Sequence, residues 1–151
     1  MAVHVVREDL FSSQADTIVN PVNCIGVQGA GLARQFLRRY PALDAEYREA
    51  CRSGVLRLGN PVLSRDGRVL WFPTKHHWRT RARLSDIDRG LQVFAAQWGQ
   101  DPRTWAFPAL GCGLGRLAWE DVRPVMEKHL AGVVGEVLIV EPMSGKRPKT
   151  R

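Results

Sequence analysis

The chain has 151 residues, 44% apolar and 25% charged, with a formal net charge of +7. That size supports one self-sufficient core, and the composition excludes a disordered, collagen-like or disulfide-rich chain. The basicity is local: Lys75–Arg83 and Ser144–Arg151 carry four cationic side chains each, together more than the whole net charge, which points to a polyanionic partner.

In chain order, Val3–Val6 reads as a short strand and Asp16–Asn20 as a buried one running into a glycine loop, "GVQGAG". From Gly31, helical spacing puts Leu32, Phe36 and Leu37 on one face, with Arg34, Arg38 and Arg39 largely outside. Pro41 ends that helix and stands in the first turn of the next, which Gly54 stops. "GNPVLSRDGRVLWFPTK" predicts two strands joined by an Asp66-Gly67 turn. "LSDIDRGLQVFAAQW" is a helix with Ser85 as its expected N-cap and Ile87, Leu91, Phe94, Ala95 and Trp98 as its apolar stripe. "TWAFPAL" is a further buried strand, followed by a second glycine cluster, Gly111 to Gly115. A helix over "AWEDVRPVMEKHL", with Lys128 and His129 in its last turn, leads to a final strand, Glu136–Val140. Strands alternate with helices, so the expected fold is α/β, a mostly parallel or mixed sheet between helices.

Two glycine-rich turns after two buried strands are suited to pinching a diphosphate with backbone N–H groups. Neither is a dinucleotide fingerprint or a P-loop: the first has the spacing GxxGxG, and GxxxxGK[ST] is absent. Asn20 reads as a turn-former. Asn23, directly before the first loop, reads either as a second turn-former or as a hydrogen-bond partner for ribose hydroxyls. Lys75 follows a buried strand at the end where the loops gather; a pocket-facing lysine there can protonate a leaving group or, deprotonated, attack a sugar carbon. Trp78 among Arg79, Arg81 and Arg83 suits a phosphodiester backbone with a stacked base, and equally a basic loop packed on the body. His76, His77 and the cysteines show no metal-ligand spacing, and no metal or cofactor is assigned. Cys24 and Cys112, inside the glycine loops, read as small packing residues. The three cysteines form no CxxC pair or even set, no signal-peptide pattern opens the chain, and no stretch approaches the ~20 apolar residues of a membrane span; a soluble cytoplasmic domain is expected.

The combination of "VNPVNCIGVQGAGLARQF", "FPTKHHWR", "IDRGL" and "FPALGCGLGRLAWEDVRP" resembles the macrodomains, and within them the DarG branch, over about residues 3 to 142. The resemblance implies a three-layer α/β/α domain with a mixed central sheet, spanning 1–143, followed by a basic tail, 144–151, that continues as a linker. It implies an antitoxin hydrolase that removes ADP-ribose from thymidine in single-stranded DNA, with roles in DNA binding and repair and no membrane partner. A DarT-type toxin would bind through a region outside these residues. By the same resemblance Asp9, with Leu10 beside it, meets adenine; Asn23 meets the distal ribose; and Lys75 is the residue on which hydrolysis depends. Gly26, Val27, Gly29, Ala30, Gly31 and Leu32 correspond to the first phosphate loop. Leu110, Gly111, Cys112, Gly113, Leu114 and Gly115 correspond to the second. The expected DNA path is His77, Trp78, Arg79, Arg81 and Arg83. Two departures stand out: Gly115 replaces the aspartate of glutamate-directed relatives, and Glu8 replaces the usual glycine before the adenine-contacting acid. The rival readings are an ADP-ribose reader without hydrolysis and a hydrolase for protein-linked ADP-ribose.

Overall fold

The computed structural model describes residues 2–142, so the basic tail lies outside the described residues. Six strands form one sheet: β1 (Ala2–Val6), β2 (Thr17–Asn23), β3 (Val62–Leu63), β4 (Val69–Lys75), β5 (Trp105–Pro108) and β6 (Glu136–Val140). Their order is β1-β6-β5-β2-β4-β3, and all neighbours are parallel except the short edge strand β3, which runs against β4. The sheet is therefore mixed, as expected. Four helices accompany it: α1 (Gly31–Arg39), α2 (Asp44–Ser53), α3 (Leu84–Trp98) and α4 (Trp119–Leu130).

Strand alternation sorts the core into two layers. Leu70, Phe72, Trp105 and Phe107 face one side, where Ile87, Leu91 and Phe94 of α3 and Val122, Met126 and Leu130 of α4 cover them. Val69, Trp71, Ile18, Val22 and Ala106 face the other, against Phe36 of α1 and Tyr47 of α2. This is the three-layer α/β/α arrangement. On the first face the aromatic packing is tight: the Phe94 ring meets Trp105 and Phe107 edge-on at 4.8 and 5.1 Å between centroids.

The Asp66-Gly67 turn forms as read, with the Asp66 carboxylate accepting from the Ser64 hydroxyl at 2.7 Å and the Arg68 N–H at 3.0 Å. Two local expectations need correction. Ser85 is not a cap: it lies inside α3, whose cap position is Arg83, two residues earlier, and no side chain caps it. Pro41 does not open α2; it starts a separate 3₁₀ turn, Pro41–Leu43, before α2 begins at Asp44. No helix among the described residues is long and apolar enough to cross a membrane.

Candidate functional site

The sheet order itself creates a crevice. From β2 the chain leaves toward α1 on one face, and from the adjacent β5 it leaves toward α4 on the other. Neighbouring strands whose exits diverge leave a gap at their carboxyl ends, the usual ligand position in open α/β sheets. A cleft of about 670 Å³ occupies that gap, a size suited to a small ligand. Its floor is Pro21, Val22, Thr74, Pro108 and Ala109, and the two glycine loops form its walls. Lys75 is the one charged side chain among the lining residues.

The walls are rich in unused donors. Among the described residues, the backbone N–H groups of Gly29, Ala30, Gly31, Leu32 and Ala33 on one side and of Gly113, Leu114 and Gly115 on the other find no acceptor in the chain. Those of Gly31, Leu32 and Ala33 are the first-turn donors of α1, whose dipole adds positive potential at the same place. The arrangement is built for an anion with several oxygens.

Buried carboxamides hold the first loop. The Asn23 side-chain oxygen accepts from the backbone of Ile25 (3.1 Å) and Val27 (3.3 Å), and its nitrogen donates to the Val27 carbonyl at 2.8 Å. The Tyr47 hydroxyl, reaching up from α2, lies 3.0 Å from the same side-chain oxygen. Asn23 is thus a loop organiser with one N–H left for the cleft. Gln28 points inward, away from the cleft. Its oxygen accepts from Asn20 at 2.9 Å and its nitrogen donates to Asp44 at 3.0 Å, tying the loop to β2 and α2. Asn20 is therefore not the turn-former expected from sequence: it sits mid-strand, 1% exposed, with its own oxygen lacking a protein partner.

The second loop is held by backbone proximity. Gly111 has φ +75°, a conformation that favours glycine. A Cβ added at Gly115 would lie 2.6 Å from the Gly111 carbonyl oxygen and 2.8 Å from the Ala82 Cβ. Ala82 is there because its N–H donates to the Gly115 carbonyl at 3.0 Å, which docks the basic segment onto the loop. Leu114 leans across the cleft so far that a Cβ on Gly31 would come within 3.2 Å of its methyl group. The two loops therefore meet over the gap.

Lys75 ends β4 directly beside Asn23, its register partner on β2, where a bulge interrupts the ladder. Its ammonium donates to the carbonyls of Trp78 (3.0 Å) and Leu114 (3.5 Å). Partial burial, and secondarily the nearby Arg116 guanidinium, hold its pKa below the ordinary lysine value. Trp78 is 46% exposed at the cleft mouth, with the Arg79 guanidinium 4.8 Å over its ring and the His77 ring 5.3 Å away. Arg79, Arg81 and Arg83 are exposed and alternate with the tucked Ala82.

Of the residues singled out from sequence, Asn23, Lys75 and Trp78 line the cleft. Val27, Gly29, Ala30, Gly31 and Leu32 of the first loop do so too, with Gly111, Gly113, Leu114 and Gly115 of the second. Gly26 and Cys112 belong to the loops without lining it, and Leu110 is fully buried among the α3 and α4 side chains. Asp9 is exposed before a short 3₁₀ turn, and Leu10 packs into the core under α1 and α2; neither lines the cleft. His77, Arg79, Arg81 and Arg83 stand outside it as well. Burial raises the Cys24 thiol to about 11, so it stays protonated near neutral pH and fits the packing role read for it. The sequence reading missed the floor, Pro21, Val22, Thr74, Pro108 and Ala109, and also Ala33 and the anchor Gln28.

A model of the Macro domain family matches residues 19–126. The chain is 35% identical over 144 residues to a DNA ADP-ribosyl glycohydrolase of Mycobacterium tuberculosis, a match covering 91% of this chain and 41% of that protein. It is 32% identical to a DNA ADP-ribosyl transferase–DNA ADP-ribosyl glycohydrolase fusion protein of Thermosipho africanus, covering 95% and 42%. The solved macrodomain of Thermus aquaticus DarG superposes with a TM-score of 0.85 at 30% identity, covering 94% of this chain and all of that one. Thermosipho africanus DarTG in complex with ADP-ribose superposes at 0.88 and 31%, covering 97% and 43%. The chain spans about two-fifths of the length of these two curated relatives.

Proposed function

The chain belongs to the macro domain family, and from that premise we propose that it is a hydrolase that removes ADP-ribose from thymidine bases in DNA, countering a DNA ADP-ribosyltransferase toxin. The observation that carries this reading is the pairing of Asn23 and Lys75 in register at the end of a cleft walled by unpartnered N–H donors. The donors take the diphosphate, and the remaining Asn23 N–H takes a hydroxyl of the distal ribose. Asp9, on the turn after β1, reads the adenine. Lys75 then acts at C1″ of that ribose. In the reaction the bond from C1″ to the thymine breaks, the oxygen of water ends on C1″, and a proton ends on the base. Lys75 either supplies or steers that proton, or attacks C1″ first and is displaced by water; a polarised leaving base and a preorganised cleft lower the barrier in both cases. Trp78 and the outward arginines hold the DNA strand, stacking a base and tracking phosphates. The relatives named for this activity at 32–35% identity support the substrate assignment. A DNA substrate makes the cytoplasm the compartment of action in this reading.

The test is release of ADP-ribose from a thymidine-ADP-ribosylated single-stranded oligonucleotide by this chain and by Lys75→Ala, with ADP-ribose affinity measured by calorimetry. Release by the parent, abolished in the variant with affinity preserved, is expected. Binding without release by either protein replaces the hydrolase with a reader.

A further inference from the structure

Beyond its charge beside Lys75, Arg116 has no part in the site described so far. It closes the second glycine loop with φ +67°, a left-handed conformation that side chains rarely adopt. Among the described residues only Gln14 shares that distinction outside glycine. Its N–H donates to the Gly113 carbonyl at 3.0 Å, closing a turn that glycine or asparagine would close without strain. The side chain is exposed and has no ion-pair partner among the described residues. A strained backbone that presents an unpaired cation is a reason to look for a ligand.

The surroundings narrow the choice. Arg116 directly follows Gly115, whose carbonyl receives the Ala82 N–H, so it stands beside the strip that displays Arg81 and Arg83. It does not line the cleft, and the diphosphate position is already served by backbone donors. Its charge nevertheless reaches Lys75. The anion that satisfies it is therefore outside the cleft, close to the reacting base, and on the side of the basic strip. A nucleic-acid substrate supplies such an anion in the phosphodiester next to the modified nucleotide, and ADP-ribose linked to a protein side chain does not. A guanidinium suits that contact through paired donors.

We propose that Arg116 is a specificity residue that binds the DNA phosphate flanking the ADP-ribosylated nucleotide, separating nucleic-acid-linked from protein-linked ADP-ribose. This rests on the DNA-directed reading above. The test compares Arg116→Gly, Arg116→Asn and Arg116→Lys with the parent on two substrates. One is an oligonucleotide carrying ADP-ribosylated thymidine; the other is ADP-ribosyl-thymidine nucleoside, which has no DNA phosphate. Glycine and asparagine tolerate the left-handed backbone, so both variants should fold and melt no lower than the parent. With the oligonucleotide, kcat/KM should fall by about tenfold in both, through KM, as expected for loss of one charge-assisted contact. The log–log salt slope of oligonucleotide binding should flatten by about 0.7. Nucleoside turnover, compared on the plateau of each enzyme's pH profile, and ADP-ribose affinity should hold, and Arg116→Lys should keep most of the oligonucleotide preference. An equal fall on both substrates, or no fall on the oligonucleotide, overturns the proposal alone. A parent that turns over neither substrate overturns the DNA-directed reading and the proposal with it.

Discussion

Adding one methyl group at Gly115 tests whether the second loop is as closely fitted as its geometry indicates. The new Cβ of Gly115→Ala would stand 2.6 Å from the Gly111 carbonyl oxygen and 2.8 Å from the Ala82 Cβ, and neither neighbour is the free end of a flexible side chain. Comfortable separations for such pairs are about 3.5 Å or more, so one or both backbones must move. Forced overpacking of this kind costs about 1–3 kcal/mol. For a domain of this size each kcal/mol lowers Tm by roughly 2–4 °C, so a fall of about 2–12 °C is expected. If the strain is relieved by local movement instead, the retreating partners are the Gly111 turn and the Ala82–Gly115 bond. The first holds the phosphate loop and the second docks the basic segment, so ADP-ribose affinity or oligonucleotide KM then suffers. Differential scanning fluorimetry and calorimetric titration of ADP-ribose, on the parent and Gly115→Ala, read both routes. A variant with unchanged Tm, affinity and oligonucleotide KM would refute the close fit.

Three further outcomes follow from named contacts. Gln28→Leu removes the bonds to Asn20 and Asp44 and leaves the buried Asn20 carboxamide with no protein partner, a cost of about 1–3 kcal/mol; urea unfolding should show it, and ADP-ribose affinity should weaken as the loop loosens, whereas unaltered affinity would mean the anchor does not set the loop. Lys75 titrates below the ordinary lysine value in the free protein, so kcat/KM should show an inflection below pH 10.5: a fall with rising pH if the ammonium is the working form, a rise if the amine is. Because the Arg116 charge is the second cause of that shift, Arg116→Gly should move the inflection to higher pH, and an inflection that stays put would show the two cations are uncoupled.

The features readable from sequence were those fixed by neighbours in the chain. Asp66-Gly67 announces its turn because the aspartate bonds its own local backbone. The helical stripe of Ile87, Leu91 and Phe94 and the two glycine loops are likewise local patterns, and all appear where expected. Asn20 was misread because its partner, Gln28, is supplied by a loop that folds back over the strand, a contact with no sequence signature. Ser85 was misread because α3 starts two residues early, capped at Arg83 directly after Ala82 docks on the glycine loop. The cleft floor depends on which strand ends lie side by side. Thr74 and Pro108 reach it only because β4 and β5 flank β2, an order set by the whole sheet. Arg116 gave no warning, since its character lies in a backbone angle that residue type disfavours.

The two carbonyls that receive the Lys75 nitrogen have a geometric consequence. A lysine nitrogen is tetrahedral, and one of its four directions is the bond to its own chain. Two more are committed to the oxygens of Trp78 and Leu114. A single direction is left, occupied by a hydrogen in the ammonium and by the lone pair in the amine. Proton delivery and nucleophilic attack would thus leave along the same vector, and main-chain atoms alone set that vector. No side-chain replacement in the cleft can redirect it. A shift of the segment bearing Trp78 or of the loop bearing Leu114 can, so the alignment of the chemistry is a property of two backbones that meet through Ala82 and Gly115.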